Sequence, residues 1–197
     1  MSALAAGFAD PVHASQNTFR AVMDALARPG TIASLSRIVT PPLPLSPAAA
    51  AVALTLLDYE TPVWLDGALS VSPGVGEWFR FHTGAPVTLD PRAASFAFVS
   101  DAAQAPALDG FSLGTSEYPD RSTTLVLQVE QFGAGERFNL SGPGIAGTHA
   151  FSAAPLPKDF RAQLLANRDL FPRGVDVILV SDITIAALPR SVRIDAD

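Results

Sequence analysis

The sequence predicts a single α/β domain over residues 1–197, a mixed β-sheet flanked by helices in three layers. Three observations lead there. Segments of helical period alternate with short β-branched runs along the chain. One run, Thr123–Val129 (TTLVLQV), is apolar almost throughout, as a strand buried on both faces is. At least two strand pairs are joined by turns too short for a parallel crossover, so the sheet must be mixed.

The first helix is expected to be capped by Ser15, with Phe19, Val22, Met23 and Leu26 at helical spacing. Arg28-Pro29-Gly30 ends it, since proline lacks a backbone donor and glycine accepts positive φ. Thr31–Ile38 reads as a strand, and Pro41-Pro42-Leu43-Pro44 as a turn. Ser46-Pro47 has the pattern of a cap followed by proline at the first helical position, opening an Ala-rich helix to Leu57. Thr61–Asp66 is a short strand, Trp78–His82 either a short helix or an edge strand, and Ala94–Ser100 a strand with Phe96 and Phe98 on one face. After Thr123–Val129, a hairpin at Gly133-Ala134-Gly135 leads into Arg137–Ser141. Pro157–Leu170 fits a helix with Phe160, Leu164 and Leu165 inward. Val175–Val180 and Thr184–Leu188 are two strands joined at Ser181-Asp182.

Composition removes several function classes. The chain carries 19 acidic and 13 basic residues, a net charge of −6, and no basic run. Nucleic-acid binding needs clustered Lys and Arg, so it is not expected. Without cysteine there is no disulfide, iron–sulfur cluster, thiolate nucleophile or cysteine-ligated zinc. Met1–Asp10 has no basic residue and does not read as a signal peptide, and the longest apolar stretch, Ala48–Leu57, is half of what spans a membrane. A soluble, cytoplasmic protein is expected. Only 16% of residues are charged, against about 25% in an average domain, which suits a surface partly covered by another subunit.

Two motifs tempt. Gly142-Pro143-Gly144-Ile145-Ala146-Gly147 matches the G-x-G-x-x-G dinucleotide fingerprint, which would make the chain a nucleotide-binding regulator. That motif must open a helix, yet Thr148–Pro157 holds two prolines and no helical period. It reads as a sharp Gly-rich corner, with an anion cradle from its backbone amides left open. Gly110-Phe111-Ser112-Leu113-Gly114 matches the nucleophile elbow of serine hydrolases, with Asp120 and His149 following in triad order. The elbow needs a strand before Ser112 and a helix after it, and neither flank reads so. His13, His82 and His149 show no metal spacing. The one lysine, Lys158, falls in a helical first turn where a solvated position is expected, a poor place for a pyridoxal Schiff base. No P-loop occurs.

Seven segments in order resemble the PhnH family of the carbon–phosphorus lyase pathway: FRAVMDALARPG (from Phe19), LLDYETPVWL (from Leu56), RFHTGAP (from Arg80), GTSEYP with TTL (from Gly114 and Thr123), LSGPGI (from Leu140), FPRGVD (from Phe171) and ALPR (from Ala187). The resemblance implies a subunit of a complex with G, I and J subunits and an ATP-binding-cassette-like partner. That complex joins ATP to an alkylphosphonate, displacing adenine and giving a ribose 1-phosphonate 5-triphosphate. The J subunit, with a radical S-adenosylmethionine centre, then cleaves the carbon–phosphorus bond. It further implies a fold resembling pyridoxal-phosphate-dependent transferases without the cofactor, and a homodimer in isolation. No catalytic residue, cofactor or metal is expected in this chain. Arg121, Ser122, Gly142 and Gly144 are the candidates for phosphate or nucleotide contact, because arginine suits bidentate phosphate binding and glycine lets phosphate approach the backbone. The alternative is that Arg121 makes a surface salt bridge and the glycines shape a turn.

Overall fold

The computed structural model describes residues 4–35 and 39–195. Its helices are α1 (Pro11–Ala27), α2 (Pro47–Leu56), α3 (Gly67–Val71), α4 (Pro73–Thr83) and α5 (Phe160–Asp169). Its strands are β1 (Ala33–Ser34), β2 (Val63–Leu65), β3 (Val87–Thr88), β4 (Phe96–Val99), β5 (Thr124–Gln128), β6 (Gln131–Ser141), β7 (His149–Ala154), β8 (Asp176–Ser181), β9 (Thr184–Leu188) and β10 (Arg193–Ile194). The main sheet is mixed, ordered β1-β9-β8-β5-β4-β2-β3. Neighbours from β8 to β3 run parallel, while β9 is antiparallel to β8 and β1 to β9. A second, antiparallel sheet has the order β10-β6-β7.

Alternation along the central strands separates two cores. Val126, Ile178 and Val180 point to the face covered by α1–α4, and Leu125, Leu127, Val177 and Leu179 point to the other. That second face is covered by Phe138, Leu140 and Phe151 of the small sheet and by Phe160 and Leu164 of α5. The fold is therefore α/β with a mixed sheet and helices. Helices fill one outer layer, while a small sheet and one helix share the other.

Several boundaries move for physical reasons. Helix α1 starts at Pro11, not after Ser15, because the Asp10 carboxylate accepts the His13 amide and Pro11 fits the first turn. Its buried stripe is Ala14, Thr18, Val22 and Ala25, small residues that allow close approach to the buried alanines of α2. Phe19 and Met23, which share the helical spacing of Val22 and Leu26, are 49% and 48% exposed. Ser46 caps α2 as expected, its hydroxyl accepting the Ala49 amide at 3.3 Å. Trp78–His82 is the second half of α4, ended by Gly84 at φ 72°. Of the strand expected at Thr31–Ile38 only Ala33–Ser34 is strand, and residues 36–38 lie outside the described residues.

The hairpin expected at Gly133-Ala134-Gly135 does not form. Gly133 and Gly135 take positive φ inside β6, where the register against β7 shifts between Phe132 and Arg137. The glycines make a bulge, and the chain turns back at 142–148 instead. Strand β7 had no distinct signal in the sequence. Helix α5 is shorter than Pro157–Leu170, and Leu165 is exposed. The inward polar residue is Asn167, whose amide donates to the Val175 carbonyl and accepts its N–H, both at 2.9 Å.

Candidate functional site

Ser112 follows a short 3-10 turn at Leu108–Gly110, not a strand, and precedes the isolated bridge Leu113–Ser122. Its hydroxyl donates to the Arg121 carbonyl at 2.8 Å. His149 uses Nε2 to donate to the Gly30 carbonyl at 3.2 Å, and Asp120 is exposed. Ser112 and His149 thus have other partners, Asp120 faces solvent, and neither the strand nor the helix of an elbow is present at Ser112.

The Gly142–Gly147 segment is the corner of the β6–β7 hairpin. No helix begins there, so the pyrophosphate-binding geometry of a dinucleotide fingerprint is not formed. Gly142, Gly144 and Gly147 take φ of 116°, 81° and 78°. A Cβ on Gly144 would lie 1.9 Å from the Ala27 carbonyl oxygen, which presses the corner onto the end of α1. His149 and Gly30 tie the same contact from the other side, and the Gly30 amide donates to the Ala187 carbonyl of β9. The segments FRAVMDALARPG and LSGPGI meet here. A cavity of about 250 Å³ remains between them, lined by Arg28, Thr31, Thr148 and His149. Arg28 is paired with Asp24 at 3.0 Å.

Arg121 and Ser122 lie at the N-terminal edge of β5 and have different environments. The Arg121 guanidinium stacks 4.2 Å from the centre of the Tyr118 ring, on the surface. Ser122 is buried, and its hydroxyl accepts from Arg190. Arg190 is the residue that sequence reasoning missed. Its Nε and one terminal nitrogen bind the Asp176 carboxylate at 3.2 and 2.6 Å, and the other terminal nitrogen donates to the Pro119 carbonyl at 2.6 Å. The Arg190 amide adds a bond to Asp176 at 2.8 Å. Three of the sequence segments, GTSEYP, FPRGVD and ALPR, are joined by this one side chain. Its donors are consumed within the protein, so Arg190 builds the loop rather than receiving an anion. One residue on, the Ser191 carbonyl oxygen lies 3.3 Å from where a Gly142 Cβ would stand. The 190–193 segment thus touches Ser122 at one end and Gly142 at the other, while Arg121 and Gly144 lie outside it.

Open α/β sheets receive ligands at the carboxyl ends of their parallel strands. Here the order reverses between β2 and β4, and that crevice is closed: Asp66 caps α3 through the Leu69 amide and accepts the Ser100 amide and hydroxyl, both at 2.7 Å. Beside it a cavity of about 540 Å³ opens between β4 and β5, lined by Ser46, Ser100, Asp101, Gln128 and Glu130. Buried Gln128 donates to the carbonyls of Pro44 and Ser100 at 3.0 and 3.2 Å and accepts the Ser46 amide. The α2 amides of Ala48 and Ala49 are also taken, by Asp182 and Ser46. With two carboxylates at its rim, this cavity repels phosphate. The one signal for it in the sequence is a glutamine in an otherwise apolar strand.

Lys158 is exposed just ahead of α5. Among the described residues no three His, Asp or Glu side chains gather to hold a metal ion, and no helix is long and apolar enough to cross a membrane.

A family model described as "Bacterial phosphonate metabolism protein (PhnH)" matches residues 6–195. The chain is 46% identical over 190 residues, 96% of its length and 94% of the relative's, to a protein of Rhizobium meliloti (strain 1021). That relative is named alpha-D-ribose 1-methylphosphonate 5-triphosphate synthase subunit PhnH. The chain is also 36% identical over 83 residues, 42% of its length and 43% of the relative's, to HtxG of Stutzerimonas stutzeri, provisionally named a C-P lyase subunit protein.

Proposed function

The chain belongs to the PhnH family of bacterial phosphonate metabolism proteins, and on that premise we propose that it is an accessory subunit of a carbon–phosphorus lyase complex. In that role it supports transfer of an alkylphosphonate onto the ribose of ATP. The observation that carries this reading is the near full-length identity to a named synthase subunit, 46% over 96% of the chain. The geometry agrees with a supporting role, since Ser112 and His149 are engaged elsewhere, Asp120 faces solvent, and Arg190 is consumed in structure.

Its partners are the G, I and J subunits, with a homodimer in isolation, in the cytoplasm. The whole chain acts as one PhnH-like domain whose layers resemble a pyridoxal-phosphate-dependent transferase, with Lys158 too exposed to hold that cofactor. Of the phosphate-contact candidates, Arg121 is the one with a guanidinium at the surface. Ser122 acts through Arg190, and Gly142 and Gly144 shape the corner that backs it.

Reconstitution tests the reading. Adenine release from ATP in the presence of methylphosphonate is followed with the assembled subunits, with and without this chain. Release should depend on the chain, survive Ser112→Ala, and be absent from the chain alone. Adenine release by the isolated chain, or undiminished release without it, overturns the accessory role.

A further inference from the structure

The last helix and the last strand bring together two arginines to which the subunit reading gives no role. Arg168 stands in the final turn of α5, and Arg193 opens β10, whose position is fixed by pairing with Ser141 of β6. With Leu165, Asp169 and Ile194 they line a cavity of about 420 Å³. The Arg168 guanidinium lies 5.0 Å from the centre of the Phe171 ring, and its Nε is buried without a hydrogen-bond partner. Arg193 is exposed, and its stem runs beside Gly142. Among the described residues neither Arg168 nor Arg193 pairs with a carboxylate, as is true of most arginines of this chain.

This pattern runs against the chain's charge. With 19 acidic residues against 13 basic ones, carboxylates are plentiful, yet two guanidiniums share one concavity with a single carboxylate, Asp169. The helix dipole accounts for an arginine in the last turn of α5. It does not account for a second arriving on the same cavity from a separate element. That Nε has no surface open to the cavity, so an oxyanion there would meet the terminal nitrogens of the guanidinium. Two guanidinium forks match the oxygens of a tetrahedral anion, while the single Asp169 carboxylate offsets only one of the two charges.

We propose that the α5–β10 cavity binds a phosphate- or phosphonate-type oxyanion, held by Arg168 and Arg193. The site is argued from its geometry and stands apart from the subunit reading.

Calorimetric titration of the full chain with inorganic phosphate, and separately with methylphosphonate, tests it. Saturable binding at millimolar ligand is expected. Arg193→Gln and Arg168→Gln should each weaken it about tenfold, the ratio for one lost charge-assisted hydrogen bond. Arg28→Gln, at a surface arginine already paired, should leave it unchanged. If Arg168→Gln melts early, exposed Arg193→Gln decides. Absence of saturable binding, or binding that Arg193→Gln leaves intact, overturns the proposal. So does a variant that loses partner subunits while binding phosphate normally, because the cavity would then seat a partner's carboxylate.

Discussion

Arg190 and Asp176 have side-chain exposures of 14% and 22%, so their pair is largely withdrawn from water. Truncating one member of such a pair strands the other, and here it also frees the Pro119 carbonyl and the Ser122 hydroxyl. Arg190→Ala should therefore destabilise the fold by about 3 kcal/mol in urea unfolding, the bottom of the range for a broken buried pair because both groups keep some solvent. A change of about 0.5 kcal/mol, ordinary for a surface site, contradicts that role. In the sequence Arg190 was visible only as the end of ALPR. Its partners lie 14 to 71 residues away, and no local spacing announces them. Asp58 makes the opposite case, a wholly local device. The Thr61 hydroxyl, then the Glu60 amide, hold its carboxyl below the ordinary 3.8 despite the small opposing effect of burial. A depressed folded value means its contribution is present above the unfolded value and lost as pH falls through the lower folded one. NMR titration should place the Asp58 midpoint below 3.8, with Thr61→Val moving it upward. A midpoint at or above 3.8 contradicts the two hydrogen bonds.

Elements were legible where the signal was local. Ser46-Pro47 marks the start of α2, and β9 runs from Thr184 to Leu188 as expected, because a capping hydroxyl and a β-branched run act within a few residues. The β6–β7 hairpin was misread because glycine serves both bulges and turns. Gly133 and Gly135 look like a corner, but the corner is the segment that imitates a nucleotide fingerprint. Its glycines differ in a testable way. At Gly144 a Cβ meets the Ala27 carbonyl, whereas at Gly147 it meets nothing within 4 Å. Gly147→Ala should cost about 1 kcal/mol, the strain of a left-handed residue, and Gly144→Ala more than about 2 kcal/mol because backbone must also shift. Equal thermal shifts for the two would contradict the packing of this corner on α1. The exposed face of α1 was misread for another reason. Phe19 and Met23 share a helical stripe, but the tight α1–α2 contact selects Ala14, Thr18, Val22 and Ala25 instead.

At the scale of the whole molecule the mixed sheet followed from a strand apolar on both faces and from short turns between strands. The small sheet in the outer layer did not, since β7 is a run of small residues around Phe151 with no β-branched residue and β10 has only two residues. Candidate-site residues were harder to read than layers. Four were chosen as phosphate contacts, and the fold disperses them: Arg121 on a tyrosine, Ser122 under Arg190, Gly142 beside Arg193, and Gly144 against α1. A site whose parts depend on other chains leaves no complete constellation in one of them. An accessory subunit is therefore tested best by its company. The direct measurement is co-expression of this chain, tagged, with the cognate G, I and J subunits, followed by affinity purification and native mass measurement. The account predicts a stoichiometric complex containing all four. Assembly of the other three without this chain, which then elutes alone, would contradict it.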